Sequence, residues 1–371
     1  MATATSIPMA STSLPLKRKA PRGPRVEPTP TLFPDVPNQG DSGPALSPPG
    51  SPERVGIARL ALSSPLADAK RGTEYFLLPV KSILNHCDST RVPFSWTVNP
   101  YRGCEFGCKY CYARYTHEYM ELDGQDFEKK IYVKQGTGPL AGRDLGKEKV
   151  WGEHIAIGTA TDPYQPAERE FGATRAILEQ MAARKGLSVS ITTKSDQVVR
   201  DIDLLRRIGE RSGVSVNLSI TTLRTRLARI LEPRAPRPDL RLKAVQELRR
   251  AGIAAGVFAM PILPGLTDRE EDLDALARAA KDAGAQWFAG SVLFLMPSAK
   301  EQFLPFLDAK FPKLARRYRE WFAREAYAPE EYRQEIAERI RALRRKYGLG
   351  VRPLDPGRTQ ASGQQLSLGL E

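Results

Sequence analysis

The chain has 371 residues, 41% of them hydrophobic, which is a globular value and enough for a sizeable buried core. Its longest apolar runs, 253–264 and 287–297, are too short for a membrane span, and no apolar segment of the secretory kind follows the basic stretch near the N-terminus, so a cytoplasmic protein is expected. Of only four cysteines, three lie within eight residues, which excludes a spread disulfide framework, while a net charge of +13 favours polyanionic partners such as nucleic acid.

Residues 1–55 are rich in Pro, Ser, Thr and Ala without apolar periodicity, and a disordered tail is predicted there. Lys17-Arg18-Lys19, with Arg22 and Arg25, reads as a solubilising patch, with phosphate contact or targeting as the alternatives. Order is expected from Thr73. Residues 76–80 read as extended, 91–101 as a first strand running into the cysteines, and 112–120 as helix.

Beyond that point the pattern alternates. Strand-like runs at 154–158, 187–193, 214–220, 253–262 and 287–295 are separated by helical patterns at 167–184, 196–211, 237–251 and 269–283. Such alternation predicts a parallel sheet with right-handed crossovers. With the first strand the count is six, an α/β fold built as a partial (β/α)6 TIM-like barrel over 73–300, whose ligands sit at the C-terminal ends of the strands.

Residues 301–352 read as a basic helical extension. Arg316, Arg317, Arg319, Arg324, Arg339, Arg341, Arg344, Arg345 and Lys346 interleave with aromatic residues. Amphipathic helices packing their aromatics inward explain the pattern, and a nucleic-acid clamp beside the barrel mouth is the functional alternative. Residues 353–371 read as a flexible tail.

The strongest chemical signal is Asn99-Pro100-Tyr101-Arg102-Gly103-Cys104-Glu105-Phe106-Gly107-Cys108-Lys109-Tyr110-Cys111-Tyr112. Thiolates hold iron–sulfur clusters, usually four at a time. Three from Cys104, Cys108 and Cys111 leave one iron of a cubane open to a small molecule, and Gly103 and Gly107 let the loop wrap closely. A structural zinc site would need a fourth ligand from Cys87, His86 or His117, and no second cysteine pair exists.

This spacing, with Tyr110 just before the third cysteine, resembles the radical S-adenosylmethionine (SAM) superfamily. The resemblance implies a [4Fe–4S] cluster on Cys104, Cys108 and Cys111, SAM chelated to the open iron, and an electron donor such as flavodoxin or ferredoxin. It also implies reductive cleavage of SAM to a 5′-deoxyadenosyl radical, with Tyr110 against the adenine. Further candidates end the later strands. Thr161 and Asp162 would meet the amino end of SAM, or Asp162 caps a helix. Lys194 would pair with the SAM carboxylate, or is a surface lysine. Asn217 and Ser219 share one strand face and would hold the ribose hydroxyls, or are satisfied core groups. Ile262 lies in a fifth-strand segment, 256–268, that resembles the adenine-binding segment of these barrels.

Within the superfamily, the cysteine stretch, Thr161-Asp162-Pro163-Tyr164-Gln165-Pro166 with Glu168, Thr193-Lys194-Ser195, and Pro261-Ile262-Leu263-Pro264-Gly265-Leu266-Thr267-Asp268 resemble the spore photoproduct lyase-related branch, over roughly 73–300. That lyase reverses a thymine–thymine lesion, with a hydrogen-donor cysteine two positions before a Ser-Asp pair. Matching the pair to Thr161-Asp162 puts Thr159 at the donor position, and Cys87 is the only spare thiol. The tail Gln365-Leu366-Ser367-Leu368-Gly369-Leu370 resembles peptides that bind the replication sliding clamp. The expectation is a radical SAM enzyme, lyase-like, acting on nucleic acid. A radical SAM enzyme modifying a peptide or metabolite, and a non-enzymatic metal protein that binds nucleic acid, are the alternatives.

Overall fold

The computed structural model describes residues 54–70, 72–89 and 92–351. The basic patch around Lys17 and the clamp-like peptide from Gln365 to Leu370 lie outside the described residues.

Eleven strands are described: β1 (Leu66–Lys70), β2 (Thr73–Leu78), β3 (Leu84–His86), β4 (Trp96–Val98), β5 (Tyr101–Arg102), β6 (Lys130–Lys134), β7 (His154–Ile157), β8 (Ser188–Thr193), β9 (Gly213–Ser219), β10 (Ala254–Ile262) and β11 (Phe288–Val292). The main sheet has the order β11-β10-β9-β8-β7-β4-β3. Its six consecutive parallel strands, β4 and β7 to β11, are the six expected from sequence, and antiparallel β3 closes one edge. This is the partial (β/α)6 arrangement.

Parallel strands covered on both faces are buried throughout, as every residue of β9 is. Val214, Val216 and Leu218 form its apolar face, the same alternation that places Val189 and Ile191 in the core. The opposite face is small and polar. There Ser190 pairs with Ser215, Thr192 with Asn217, and Asn217 with Gly256, while the His154 ring contacts the hydroxyls of Ser188 (2.7 Å) and Ser190 (2.9 Å).

Four differences from the sequence expectation bear on the site. The segment 91–101 is not one strand: Trp96–Val98 joins the main sheet, whereas Tyr101–Arg102 crosses to a second, four-stranded sheet of order β1-β2-β6-β5. Pro100, which has no N–H for a ladder, stands at the crossing. Order also begins before Thr73, with a helix at Gly56–Leu62 and then β1. The helical pattern at 167–184 is split at Gly172, whose φ of 59° is left-handed, into Glu168–Phe171 and Ala173–Ala182. The pattern at 196–211 begins as a 3-10 turn at Asp196–Asp201 and becomes α-helical only over Ile202–Gly209.

The basic C-terminal segment forms helices Pro297–Lys310, Pro312–Trp321 and Glu330–Tyr347. Phe303, Tyr318 and Phe322 point inward, as amphipathic packing requires. The last helix is no outlying layer. Ile336, Ile340 and Leu343 enter the main core, and a Cβ on Gly290 of β11 would stand 2.8 Å from Ile340, so β11 and this helix are in close contact. It thus covers the last strand of the sheet.

Candidate active site

The three cysteines follow β5 on a loop whose path depends on two left-handed glycines. Gly103 has φ 85°, and a Cβ there would lie 2.7 Å from the Lys130 carbonyl oxygen and 2.8 Å from that of Phe127. Both obstacles are backbone, so only glycine fits. The Cys104 N–H donates to that Phe127 carbonyl at 3.0 Å. Gly107, at φ 62°, makes the second turn.

Cys104 and Cys108 are buried, Cys111 is half-buried, and all three are free thiols. Burial pushes each thiol up, Cys108 to about 12, and the charges of the three sulfurs act on one another. Bare thiolates are therefore unfavourable here, and a bound cation is what would hold them ionised. Among the described residues no three His, Cys, Asp or Glu side chains gather closely enough for a single metal ion. Thiolates around one zinc sit about 2.3 Å from it, whereas a cubane carries its thiolates on separate irons. The donor set and the glycine-lined loop fit the cubane.

The segment after β7 brackets this loop. Thr161 Oγ1 donates to the Gly103 carbonyl at 2.6 Å, and Gln165 Nε2 to the same oxygen at 3.1 Å. Gln165 Oε1 in turn accepts the Glu105 N–H at 2.9 Å. The Glu105 carboxylate accepts from the Ala167 N–H (2.7 Å) and the Tyr75 hydroxyl (2.9 Å), which ties the loop to both sheets. Glu168, fully buried, accepts from the Tyr101 hydroxyl, the Thr174 N–H and Arg200.

Asp162 accepts from the Tyr164 N–H (2.9 Å), Thr193 Oγ1 (2.6 Å) and the Lys194 N–H (2.7 Å). It joins the C-terminal ends of β7 and β8 and closes a local turn, but it caps no helix, since the next one, Glu168–Phe171, has Ala167 at its N-cap. Burial raises its carboxyl in spite of these bonds. Lys194 is half-buried, its ammonium 5.8 Å from the centre of the Tyr110 ring. Burial disfavours its charge, but Cys108 and Glu232 outweigh burial and hold its pKa above the ordinary lysine value.

Two groups without a sequence signal complete this wall. The Tyr110 hydroxyl donates to Glu232 and lies 3.0 Å from Thr221 Oγ1, which donates to the same carboxylate at 2.7 Å. Arg241 completes a buried ion pair with Glu232 at 2.5 Å and donates to the Ser219 carbonyl at 2.9 Å. Burial alone would raise the Glu232 carboxyl, but Arg241 and Lys194 hold it below its ordinary value. The neighbouring chain also grips the loop, with the Lys109 N–H donating to the Leu231 carbonyl and the Arg234 N–H to that of Phe106. Glu232 sits in a Pro/Arg-rich stretch and Arg241 on an apparent surface helix, and nothing local pairs them.

Tyr110, Thr161, Asp162 and Lys194 thus converge on the cysteine loop. Asn217 does not. It lies mid-strand and fully buried, its Oδ1 accepting from Trp287 Nε1 at 3.0 Å and its Nδ2 donating to the Ile191 carbonyl at 3.2 Å. The core-group reading describes those contacts, which leave the amide spent within the sheet. Ser219 ends β9, buried, and Ile262 ends β10, buried. Thr159, at the position matched to the donor cysteine, accepts a hydrogen bond on its Oγ1 from the Asn99 amide at 3.0 Å. Cys87 packs with Val92, Phe94 and Ala156 and lines a cavity of about 390 Å³ together with His154, the first residue of β7. That is the end of the sheet opposite the cysteine loop.

The Radical SAM superfamily model matches residues 98–277. An uncharacterized protein of Mycobacterium tuberculosis is 35% identical over 308 residues, covering 82% of this chain and 89% of that protein. One of Methanocaldococcus jannaschii is 34% identical over 182 residues, covering 49% and 66%. Among solved structures, spore photoproduct lyase complexed with dinucleoside spore photoproduct superimposes with a TM-score of 0.55 at 17% identity, over 81% of this chain and 85% of that one. A variant of that lyase with bound AdoMet gives 0.55 at 16%, again over 81% and 85%. The lyase likeness is one of fold. The matched family model and the three-cysteine loop at the strand ends make this chain a member of the radical SAM superfamily, whose cofactors are a [4Fe–4S] cluster and SAM.

Proposed function

We propose that this enzyme cleaves SAM reductively and directs the resulting 5′-deoxyadenosyl radical at nucleic acid. The observation that carries the reading is the bracketed cysteine loop at the C-terminal ends of the strands, with the Lys194 ammonium beside it over Tyr110. When bound, the cluster supplies one electron that breaks a carbon–sulfur bond of SAM, giving methionine and the radical, and the radical becomes 5′-deoxyadenosine by taking a hydrogen atom from substrate. An external donor of the flavodoxin or ferredoxin class supplies that electron.

The protein's own part is positioning. Cys104, Cys108 and Cys111 hold the cluster. Lys194 would pair with the SAM carboxylate, Thr161 and Asp162 would hold its amino end, and Tyr110, pinned by Glu232, would present its ring to the adenine. Ser219 and Ile262 close the far side, and Asn217 supports it from within the sheet.

Three facts support nucleic acid as substrate. The net charge is +13. Arg316, Arg317 and Arg324 are exposed on or just beyond the helix Pro312–Trp321, which packs on the chain leaving β10, with the Tyr318 hydroxyl donating to the Pro264 carbonyl at 2.8 Å. Spore photoproduct lyase, which shares the fold, has been solved with a dinucleoside photoproduct. The test is anaerobic reconstitution, dithionite reduction and assay of 5′-deoxyadenosine with and without damaged DNA. Product formed from SAM, and more of it with DNA, is expected. Product that is indifferent to DNA would move the substrate to a peptide or metabolite, and no product at all would remove the enzymatic reading.

A further inference from the structure

Beside the cysteine loop, the second sheet carries two cations that the protein itself does not neutralise. Arg102 of β5 stands opposite Tyr132 of β6, and Lys134 lies two residues further along β6, on the same face and diagonal to Arg102. Lys134 is only 6% exposed. Among the described residues no hydrogen bond or ion pair reaches its ammonium. Arg102 is half-buried, its Nε is buried without a partner, and its one hydrogen bond is a long one, 3.5 Å to the Thr116 carbonyl. The carboxylates on the chain leading into β6 are engaged elsewhere, Asp126 by Lys130 at 2.7 Å and Glu128 by Arg114 at 2.7 Å.

Buried charges are normally paired, because an unpaired one carries its full desolvation cost. Two cations left unpaired side by side, next to a catalytic loop, therefore mark a place for an anion from outside the chain. We propose that Arg102 and Lys134 form a subsite for one phosphate group of the substrate. The subsite stands on these two side chains, and only the source of the phosphate rests on the nucleic-acid reading above.

The location suits that role. Arg102 is two residues before Cys104, and Tyr115 lies near enough to feel both the Arg102 charge and the Cys111 sulfur. Tyr119, exposed and 5.3 Å from Tyr115 between ring centres, offers an aromatic face on which a base can stack. A guanidinium fork with an ammonium is a chemically apt pair for phosphate. Burial, reinforced by the repulsion of Arg102, also pulls Lys134 down to about 7, so an arriving dianion would restore its charge.

The test uses the reconstituted full chain, the variants Lys134→Met and Lys134→Arg, and two probes at constant ionic strength: inorganic phosphate, read as a rise in Tm over chloride, and oligothymidylate, read by fluorescence anisotropy. Wild type is expected to show a phosphate-specific rise that K134M loses and K134R keeps. K134M itself should melt higher than wild type without ligand, because the cost of burying an unpaired amine, whether held charged or neutralised, is gone. It should bind the oligonucleotide about tenfold more weakly, with a salt slope smaller by about 0.7. A phosphate response that depends on Lys134, without oligonucleotide binding by wild type, keeps the subsite and removes the nucleic-acid reading. Oligonucleotide binding unaffected in K134M, together with no phosphate-specific rise in wild type, overturns the subsite and leaves the nucleic-acid reading intact.

Discussion

Arg241 and Glu232 form an ion pair 2.5 Å apart and almost without solvent contact, and the tyrosine that precedes the last cysteine hangs from its carboxylate. Lone removal of either partner leaves the other charged and buried. Arg241→Met is expected to cost about 3–5 kcal/mol of stability. The double variant E232L/R241M should recover part of that loss, because neither member of the pair is stranded, while Lys194 loses one of its counter-charges and Tyr110 loses its anchor. Urea unfolding of the single and double variants checks this, and a double variant as unstable as R241M would contradict it.

His117 sets a pH dependence of known sign. It is fully buried, its Nε2 lies 3.0 Å from the Lys130 carbonyl oxygen, and burial lowers its pKa to about 4 from 6.5. Between those values the unfolded chain binds the proton and the folded chain does not, so stability rises with pH through that window and falls on acidification. From pH 7 to pH 5 the loss attributable to this ring is about 2 kcal/mol. His117→Phe should flatten that part of the profile, as followed by denaturant midpoints at the two pH values.

Gly103→Ala should leave the sheets folded yet fail to hold the cluster, since the new methyl meets two backbone oxygens at under 3 Å in a left-handed conformation. Circular dichroism near that of wild type, with iron and acid-labile sulfide largely absent after reconstitution, is the expected pair of results.

Asn217→Ala separates support from ligand contact. Loss of the amide strands the Trp287 N–H, which predicts destabilisation by about 1–3 kcal/mol. Because the amide is spent within the sheet, the apparent affinity for SAM at a temperature where the variant is folded should change by less than about threefold, under 0.7 kcal/mol. A large rise in the SAM requirement without loss of stability would instead place the side chain on the ribose.

The six parallel strands were legible because buried parallel strands are short apolar runs bounded by helical periodicity. The cysteine cluster was legible because three cysteines in eight residues have few other uses. The second sheet was not. β1, β2, β5 and β6 are short, charged residues such as Lys70, Glu74, Arg102 and Lys134 interrupt them, and beyond the local β1–β2 hairpin their pairing joins residues far apart in sequence. Gln165 and Glu168 stood inside a quoted motif, but their roles as brackets depend on Gly103 and Arg200 arriving from elsewhere. Glu232 and Arg241 carried no signal, because their partnership exists only in the fold.

The most direct measurement is the electron paramagnetic resonance spectrum of the dithionite-reduced, anaerobically reconstituted protein before and after SAM is added. A cubane on Cys104, Cys108 and Cys111 predicts a reduced [4Fe–4S] signal whose g-values shift with SAM. A silent protein containing one zinc, or a cluster signal indifferent to SAM, would contradict the account.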